Sequence, residues 1–371
     1  MATVIILGSF APSLVRFRGN LIKDLADRGH RVIAMAPLID DGVRRRLAAL
    51  GATAQDVVID NQNMNPLHML KSIRSIRDAL RTIAPDVVIA YTIKPVTLGA
   101  IAASRCPRTR FVSLITGLGF AFTRGSSLKR VLARAVATVL YRQALKRSDA
   151  VVFQNPDDCG EFRERRILPS ACEPVIVAGS GVDLAHFAPQ PLPQDVRFLM
   201  ISRLIGDKGV REYGEAARRL KAKYEGVRFS LVGYIEGSPD ALTAGELRNI
   251  EDGGVEFLGR MDDVRPAIAD CSVFVLPSRY REGTPRSILE AMAMGRAIVT
   301  TDAPGCRQTV DEGVNGFLVA PGDATSLEAA MERFISEPAL IAPMGIQSRR
   351  IAESRFDVRQ VNAQLIAAAG L

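Results

Sequence analysis

The sequence predicts an α/β protein built from two doubly wound lobes in tandem. Short apolar runs alternate with amphipathic helical segments, the alternation restarts after a proline-rich stretch near the middle, and 371 residues are enough for two or three domains. Strands separated by helices of this length imply βαβ units and parallel sheets.

In the first half, apolar runs at 4–7, 31–36, 86–90, 111–115 and 150–154 read as strands, with helical patterns at 18–28, 43–50 and 67–83 between them. In the second half, strands are expected at 196–202, 227–232, 272–276 and 297–301. Between the halves, Pro189, Pro191 and Pro193 fall in the stretch from His186 to Asp195, which disfavours helix and stiffens the chain as an interdomain linker does. The expected division is residues 1–187 and 188–371, with the last helix, about 355–371, packing back on the first domain. Ligands of open α/β sheets bind beyond the carboxyl ends of the strands, so two facing lobes would share one central cleft.

Composition narrows the class. With 47% apolar and 24% charged residues, the chain is ordinarily globular, neither disordered nor a small disulfide scaffold. Five cysteines (Cys106, Cys159, Cys172, Cys271, Cys306) form no C-x-x-C pair, so no zinc ribbon or disulfide framework is legible and a reducing compartment is expected. The longest stretch without Asp, Glu, Lys or Arg runs from Met1 to Val15, is interrupted by Gly8, Ser9 and Pro12, and is shorter than the ~18 residues of a membrane span. It also lacks a basic start, so neither a transmembrane helix nor a signal peptide is expected. Charge is uneven: residues 1–190 hold 26 Lys and Arg against 15 Asp and Glu, a net of +11, whereas residues 191–371 carry a net of −3. A basic half suggests that one lobe meets something anionic, whether nucleic acid, a membrane surface or a phosphorylated ligand.

Segment 272–295 carries the most chemistry. An apolar strand ends at Pro277, a loop holds Glu282 and Gly283, and Thr284-Pro285 reads as N-cap and first residue of a helix that stops at Gly295. Backbone N–H groups at such a helix start, beside a glycine that admits a ligand, make an anion site. Glu282 falls at the carboxyl end of the strand, and Glu290 lies more than one turn into the helix, where it would accept hydrogen bonds from sugar hydroxyls. The spacing alone carries little, since 17 glutamates produce about one such pair by chance. A solvated loop glutamate followed by a helix-surface glutamate is the plain alternative. The strand–loop–helix setting, with Glu-Gly-Thr-Pro at the turn, favours the functional reading.

In that setting the segment resembles the Glu-x7-Glu signature of retaining glycosyltransferase family 4, whose members have the GT-B fold of two Rossmann-like domains. Phe198-Leu-Met-Ile-Ser-Arg-Leu-Ile-Gly-Asp-Lys-Gly209, Phe257-Leu-Gly-Arg260, Thr301-Asp-Ala-Pro-Gly305 and Asp311-Glu-Gly-Val-Asn-Gly-Phe-Leu-Val319 match the same family in the expected order, so the similarity covers nearly the whole second lobe. The resemblance implies that Arg203 and Lys208 grip the nucleotide diphosphate, one as a fork donor and one as a point charge. A surface pair in a loop is the alternative. It further implies that Glu282 lies near the donor sugar, that Glu290 binds the ribose hydroxyls, and that Gly283 and Thr284 supply amides near the phosphates with Pro285 opening the helix behind them. By the same resemblance, Arg260 and Met261 belong to the segment whose backbone reads the base.

In the first lobe, Gly8-Ser9 matches the small-residue turn that in this family sits opposite the donor diphosphate, an ordinary strand–helix turn being the alternative. No GxGxxG follows Leu7, which disfavours a nicotinamide site. Tyr91-Thr-Ile-Lys-Pro95 and Thr116-Gly-Leu-Gly119, with Asn65-Pro66-Leu67 and Pro85-Asp86-Val87-Val88, resemble transferases that extend undecaprenyl-diphosphate-linked sugars. Arg16, Arg18, Lys94, Thr116 and Gly117 are therefore expected at the acceptor, with Lys94 either meeting its diphosphate or remaining a surface lysine before a proline. One departure stands out: many members carry a histidine in the loop where this chain has Thr116-Gly-Leu-Gly119. The histidines here are His30, His68 and His186; His30 and His186 read as structural, and His68 has no identifiable role. No Asp-x-Asp triplet occurs, and the adjacent pairs Asp40-Asp41, Asp157-Asp158 and Asp262-Asp263 read as solvated turns, so no essential metal or cofactor is expected.

The basic excess has one concentrated location. Ser126 to Arg147 reads as a single helix capped near Ser126–Ser127, with six basic residues, no acidic one, and an apolar set of Val131, Leu132, Ala135, Val139 and Leu145 filling one face. An interfacial helix on anionic headgroups and a core-packed helix with a solvated basic face are both open. Taken together, the resemblance implies retaining transfer of a hexose or N-acetylhexosamine from a UDP-sugar to a polyprenyl-diphosphate-linked glycan in bacterial surface polysaccharide or glycoprotein assembly. The protein would act from the cytoplasm, peripherally on the anionic inner face of the membrane. A nucleotide-sugar epimerase on the same scaffold is disfavoured by the scarcity of histidine. A basic nucleic-acid-binding protein is disfavoured by the absence of Trp, 6% aromatic residues and no basic stretch interleaved with aromatics, so no nucleic-acid partner is expected. Sugar identity, linkage and oligomeric state have no motif in the sequence.

Overall fold

The computed structural model describes residues 1–60, 65–119, 122, 128–235, 237 and 240–371, without the side chains of 128–130. The chain divides into two compact units, Met1–Ser180 with Val358–Leu371, and Gly181–Asp357. In the first unit the strands are β1 (Thr3–Leu7), β2 (Arg31–Ala36), β3 (Ala52–Asp56), β4 (Val87–Tyr91), β5 (Arg110–Ile115), β6 (Ala150–Phe153) and β7 (Val175–Ile176). In the second they are β8 (Arg197–Arg203), β9 (Arg228–Tyr234), β10 (Val255–Phe257), β11 (Val273–Leu276), β12 (Ala297–Thr301) and β13 (Gly316–Val319). The sheet orders are β3-β2-β1-β4-β5-β6-β7 and β10-β9-β8-β11-β12-β13. Every pairing is parallel.

The apolar runs become strands because both faces of each sheet are covered. In β1, Ile5 and Leu7 enter one core cluster while Val4 and Ile6 enter the other, and β2 divides the same way, with Ile33 and Met35 opposite Val32 and Ala34. Nine interior strands match the apolar runs to within one or two residues. The four that the sequence reading lacks, β3, β7, β10 and β13, are the four sheet edges. An edge strand of a parallel sheet is shorter and only partly covered, so it carries no continuous apolar run; β3 reads Ala-Thr-Ala-Gln-Asp with only Ala52 buried.

The expected domain boundary needs correction, and the basic helix turns a different face to the core. The domain boundary expected between residues 187 and 188 falls earlier: the chain passes into the second unit at Gly181, because the segment that follows is bound there. Val182 donates its backbone N–H to Phe356 O (2.8 Å), and Arg349 Nη1 donates to Leu184 O and Phe187 O (both 3.2 Å). Arg296, wholly buried, donates to Pro191 O (3.1 Å) while also capping Ile268 O and Ala269 O at a helix end. The basic helix is Leu128–Leu145, and the Ser126–Ser127 cap lies outside the described residues. Its core face is Ala137, Tyr141, Ala144 and Leu145, so Val131, Leu132 and Val139, at 50, 64 and 56% exposure, point away from the core, as does Ala135. Of the apolar set expected on one face, only Leu145 packs into the core.

The C-terminal helix Val358–Ala368 places Val361, Leu365, Ile366 and the following Ala369 in the first unit's core beside Leu21, Leu25 and Val177. Asn362 Nδ2 donates to Asp24 Oδ2 (2.6 Å) at its margin. Leu365→Ala should therefore destabilise the first unit by about 2–5 kcal/mol. Chemical denaturation with a probe in that unit measures this, and an unchanged midpoint would remove the helix from the core.

Candidate active site

In an open parallel sheet, the strand order reverses at one point, and the loops leaving the two strands there diverge to open a crevice. In the second sheet that point lies between β8 and β11. Arg203 is the last residue of β8, and a tight turn, Gly206–Lys208, follows. Gly209, at φ +80°, is required here: a Cβ on it would come within 2.2 Å of the Pro277 carbonyl oxygen at the end of β11. The turn is thereby pressed against the 278–282 loop. Asp207 O accepts from Arg279 N (2.9 Å) and Tyr280 N (3.0 Å). Arg279 Nε donates to the Asp207 carboxylate (3.2 Å), and Asp207 N donates to Asp240 Oδ2 (2.6 Å).

This turn brings together two of the residues singled out in the sequence. Lys208 Nζ is ion-paired with Glu282 Oε1, their side chains only 12 and 14% exposed. Ser278 Oγ donates to the same oxygen (3.2 Å). Arg203 Cζ and Lys208 Nζ lie 5.7 and 5.6 Å from the centre of the Tyr280 ring. Neither Ser278 nor Tyr280 was singled out in the sequence, although both lie inside the segment that was.

Gly283, Thr284 and Pro285 are buried, and the helix is Arg286–Ala293 with Pro285 as N-cap. The helix therefore starts one residue later than expected, with Pro285 rather than Thr284 at the N-cap position, and Thr284 Oγ1 donates to Gly283 O (2.9 Å). Glu290 pairs with Arg286 one turn back (2.9 Å) and is 12% exposed, not a helix-surface residue. Burial pushes its carboxyl up from the ordinary value, with Arg286 opposing the shift. The 301–305 turn supports the Glu282–Gly283 backbone from behind. Gly305 has φ +84°, and a Cβ there would sit 2.6 Å from Glu282 O and 2.8 Å from Gly283 O. Thr300 Oγ1 donates to Leu276 O (2.7 Å), and Thr301 Oγ1 to Ser278 O. Cys306, fully buried beside this turn, has its thiol pushed up to about 12 by burial and then by Glu282. Arg260 stacks its guanidinium on Tyr234 (5.3 Å) beyond β9, with half-buried Met261 next to it.

The first sheet reverses between β1 and β4. Gly8 and Ser9 follow β1, Thr92 to Lys94 follow β4, and half-buried Thr116 and Gly117 follow the adjacent β5, so all share one sheet edge. Ser9 Oγ meets Thr92 Oγ1 at 3.0 Å. Gly8 leaves room for the Tyr91 hydroxyl, which a Cβ would meet at 2.4 Å, and that hydroxyl pairs with Ser13 Oγ (2.7 Å). Thr92 adopts φ +69°, ψ 161°, a region nearly reserved for glycine. Lys94 donates to Asp60 O; burial lowers its pKa and the Asp60 charge opposes this. His68, without a role in the sequence, pairs with the Asp60 carboxylate (3.0 Å). Arg16 and Arg18 part company, because residues two apart on a helix face different ways. Arg16 is exposed, whereas Arg18 is 5% exposed, lies over the Tyr91 ring (4.9 Å) and donates to Ser180 Oγ (3.3 Å).

Residues 14–175 match the family described as "Glycosyl transferase 4-like domain", and residues 195–337 the family "Glycosyl transferases group 1". The chain is 28% identical over 342 residues, 88% of each chain, to the N,N'-diacetylbacillosaminyl-diphospho-undecaprenol alpha-1,3-N-acetylgalactosaminyltransferase of Campylobacter jejuni. It is 26% identical, over 78% of this chain and 77% of the relative, to the putative glycosyltransferase EpsD of Bacillus subtilis. Among solved structures, Anabaena HepE in complex with UDP superposes with a TM-score of 0.77 at 19% identity over 99% of both chains. Sucrose-phosphate synthase of Thermosynechococcus elongatus does so at 0.79 and 18% over 98% of both. With both halves matched by glycosyltransferase families, and with full-length relatives that carry that activity in their names, the chain belongs to the glycosyltransferases and has their GT-B fold of two Rossmann-like domains.

Proposed function

We propose that this glycosyltransferase moves an N-acetylhexosamine or hexose from a UDP-sugar to a polyprenyl-diphosphate-linked glycan, with retention at the anomeric carbon. The observation that carries the donor side is the meeting of Arg203, Lys208 and Glu282 at the β8/β11 reversal. Two cations and the start of helix Arg286–Ala293 offer the positive charge that a departing nucleotide diphosphate needs. The anomeric carbon's bond to the diphosphate breaks, the acceptor oxygen bonds the same carbon from the same face, and the hydroxyl proton leaves with the diphosphate. Glu282 meets the transferred sugar and Glu290 the ribose hydroxyls. The acceptor side rests on the Campylobacter relative, whose name specifies an undecaprenyl-diphosphate-linked sugar. In the first unit, Lys94, Thr116, Gly117 and exposed Arg16 serve that acceptor, and buried Arg18 acts indirectly by holding Tyr91. The charge assigned to diphosphate binding is carried by the Arg203 and Lys208 side chains. We therefore infer that turnover needs no metal.

The direct test is UDP release from UDP-N-acetylhexosamine with and without a polyprenyl-diphosphate disaccharide. Release should require the acceptor and persist in excess chelator. Conversion of the donor sugar with no UDP release would instead mark an epimerase, and activity restored only by magnesium or manganese would overturn the metal-independent reading.

The two glutamates should separate kinetically. Glu290 would hold the ribose in ground and transition states alike, so Glu290→Gln should chiefly raise the donor KM. Glu282 would meet charge developing at the anomeric carbon, so Glu282→Gln should lower kcat more than it raises KM. A charge-assisted hydrogen bond of about 1.5–3 kcal/mol makes each loss roughly 10- to 150-fold in kcat/KM. Wild-type kinetics in both folded variants would sink the assignment.

Membrane association is proposed for the first unit. Among the described residues no helix is long and apolar enough to cross a membrane. Val131, Leu132 and Val139 form an exposed apolar stripe on helix Leu128–Leu145, continued by exposed Lys146, and Leu67 and Leu70 are exposed on helix Pro66–Ile83 beside Lys71 and Arg74. Such amphipathic surfaces bind anionic lipid through both terms. Arg142, on the same face, is instead engaged with Arg165 O and Arg166 O. Replacing Arg134 and Lys146 with Gln should weaken binding to phosphatidylserine vesicles about 10- to 30-fold with thermal stability unchanged. Equal binding would free the helix of that role.

A further inference from the structure

We propose that Tyr280 is a positioning residue of the donor site, its ring face setting the directions of Arg203 and Lys208. The inference rests on the reading that these two cations take the donor diphosphate. Two like charges aimed at one anion repel each other before the anion arrives, and something must hold them convergent. The carboxylates nearby do this poorly, because a carboxylate neutralises the cation that it holds and competes with the diphosphate; Glu282 already engages Lys208. An aromatic face attracts cations without carrying net charge, within about 6 Å of its centre. The Tyr280 ring meets both conditions, with Arg203 Cζ at 5.7 Å and Lys208 Nζ at 5.6 Å.

The ring is fixed relative to the groups that it orients. Tyr280 N donates to Asp207 O (3.0 Å), the residue just before Lys208, and lies 3.2 Å from Ser278 Oγ, which also holds Glu282. Ring, lysine and glutamate thus ride on one hydrogen-bonded turn. Arg279, next to Tyr280, is occupied by Asp207 and Glu212 (3.2 and 3.1 Å). Tyr280 is half-buried and lies outside the buried core, so its replacement leaves the packing of the sheet intact.

The test compares binding of UDP and of uridine by calorimetry in wild type, Tyr280→Phe, Tyr280→Leu, Arg203→Ala and Lys208→Ala. Tyr280→Leu should weaken UDP about 5- to 30-fold and leave uridine within about twofold, because only the diphosphate feels the cations. Tyr280→Phe, which keeps the ring face, should bind UDP like wild type. In turnover, Tyr280→Leu should raise the donor KM more than it lowers kcat. Should Tyr280→Leu fail to fold, Tyr280→Met takes its place with the same expectations. UDP affinity unchanged in Tyr280→Leu would overturn the proposal. So would equal losses for UDP and uridine, which mean a general loop defect, or a Phe variant as weak as Leu, which assigns the effect to the hydroxyl. If Arg203→Ala and Lys208→Ala both bind UDP normally, the diphosphate reading itself fails, a result distinguishable from the failure of Tyr280 alone.

Discussion

A parallel strand covered on both faces has its side chains committed to packing along its whole length. What it can offer to a ligand is the residue at its carboxyl end and the loop that follows. Both sheets of this glycosyltransferase obey that constraint, since every pairing in each is parallel and the central residues of the interior strands are largely buried. The residues with chemistry therefore collect along one edge of each sheet, and most densely where strand order reverses. Arg203, Lys208 and Glu282 arise from the β8 and β11 ends, and Ser9, Thr92 and Lys94 from the β1 and β4 ends. The site's location follows from topology before any side chain is considered.

Topology brings these loops near each other, and glycines let them touch. Gly209 and Gly305 both have positive φ, and both back directly onto carbonyl oxygens of the 277–283 segment. A side chain at Gly209 would push the Lys208 turn away from the Pro277 carbonyl, and one at Gly305 would push against the Glu282 and Gly283 carbonyls. At the first sheet's reversal, Gly8 performs the same service for the Tyr91 hydroxyl. Burial pushes that hydroxyl up to about 12, so it stays protonated, paired to Ser13 with Arg18 above its ring. The strained backbone of Thr92, of order 1–3 kcal/mol, persists because the surrounding network over-determines it.

What the sequence made legible follows the same physics. Interior strands announce themselves as apolar runs because both faces are covered, and the four edge strands do not. The Glu-x7-Glu segment was legible through its turn chemistry and its family likeness. The ion pair of Lys208 with Glu282, 74 residues apart, was not, because spacing carries no information on contacts made across strands. Helix Leu128–Leu145 shows what periodicity leaves open. The apolar set read from the sequence falls on one face, while the core is filled by Ala137, Tyr141 and Ala144 from another. Periodicity identifies an apolar face but not which of two partners, core or lipid, will cover it. The proline-rich stretch likewise lies inside the second unit, where two arginines far along the chain, Arg296 and Arg349, hold the carbonyls of Pro191 and Phe187.

Net charge was a coarser guide than the local arrangement of charges. Residues 191–371 carry a net of −3, yet the proposed function asks them to bind a dianion. The apparent conflict dissolves once the carboxylates are located. Glu215 is held by Arg218 and Arg219, Glu328 by Arg219 and Lys223, and Asp263 by Arg265, on surfaces that do not include the β8 and β11 ends. Such paired charges project little field beyond the ~8–10 Å screening length of physiological salt. What an approaching diphosphate encounters is set instead by the few side chains at the sheet edge. There the Glu282 carboxylate is already engaged by Lys208 and Ser278, and the neutral ring of Tyr280 lies within about 6 Å of both that lysine and Arg203. A donor would thus exchange one partner of Lys208 for another, trading a carboxylate for a phosphate, and the carboxylate it releases is the one proposed to meet the sugar. On the proposed roles, donor binding and the freeing of Glu282 would be the same event, which would tie the leaving group's position to the moment at which the anomeric carbon first has an anion beside it.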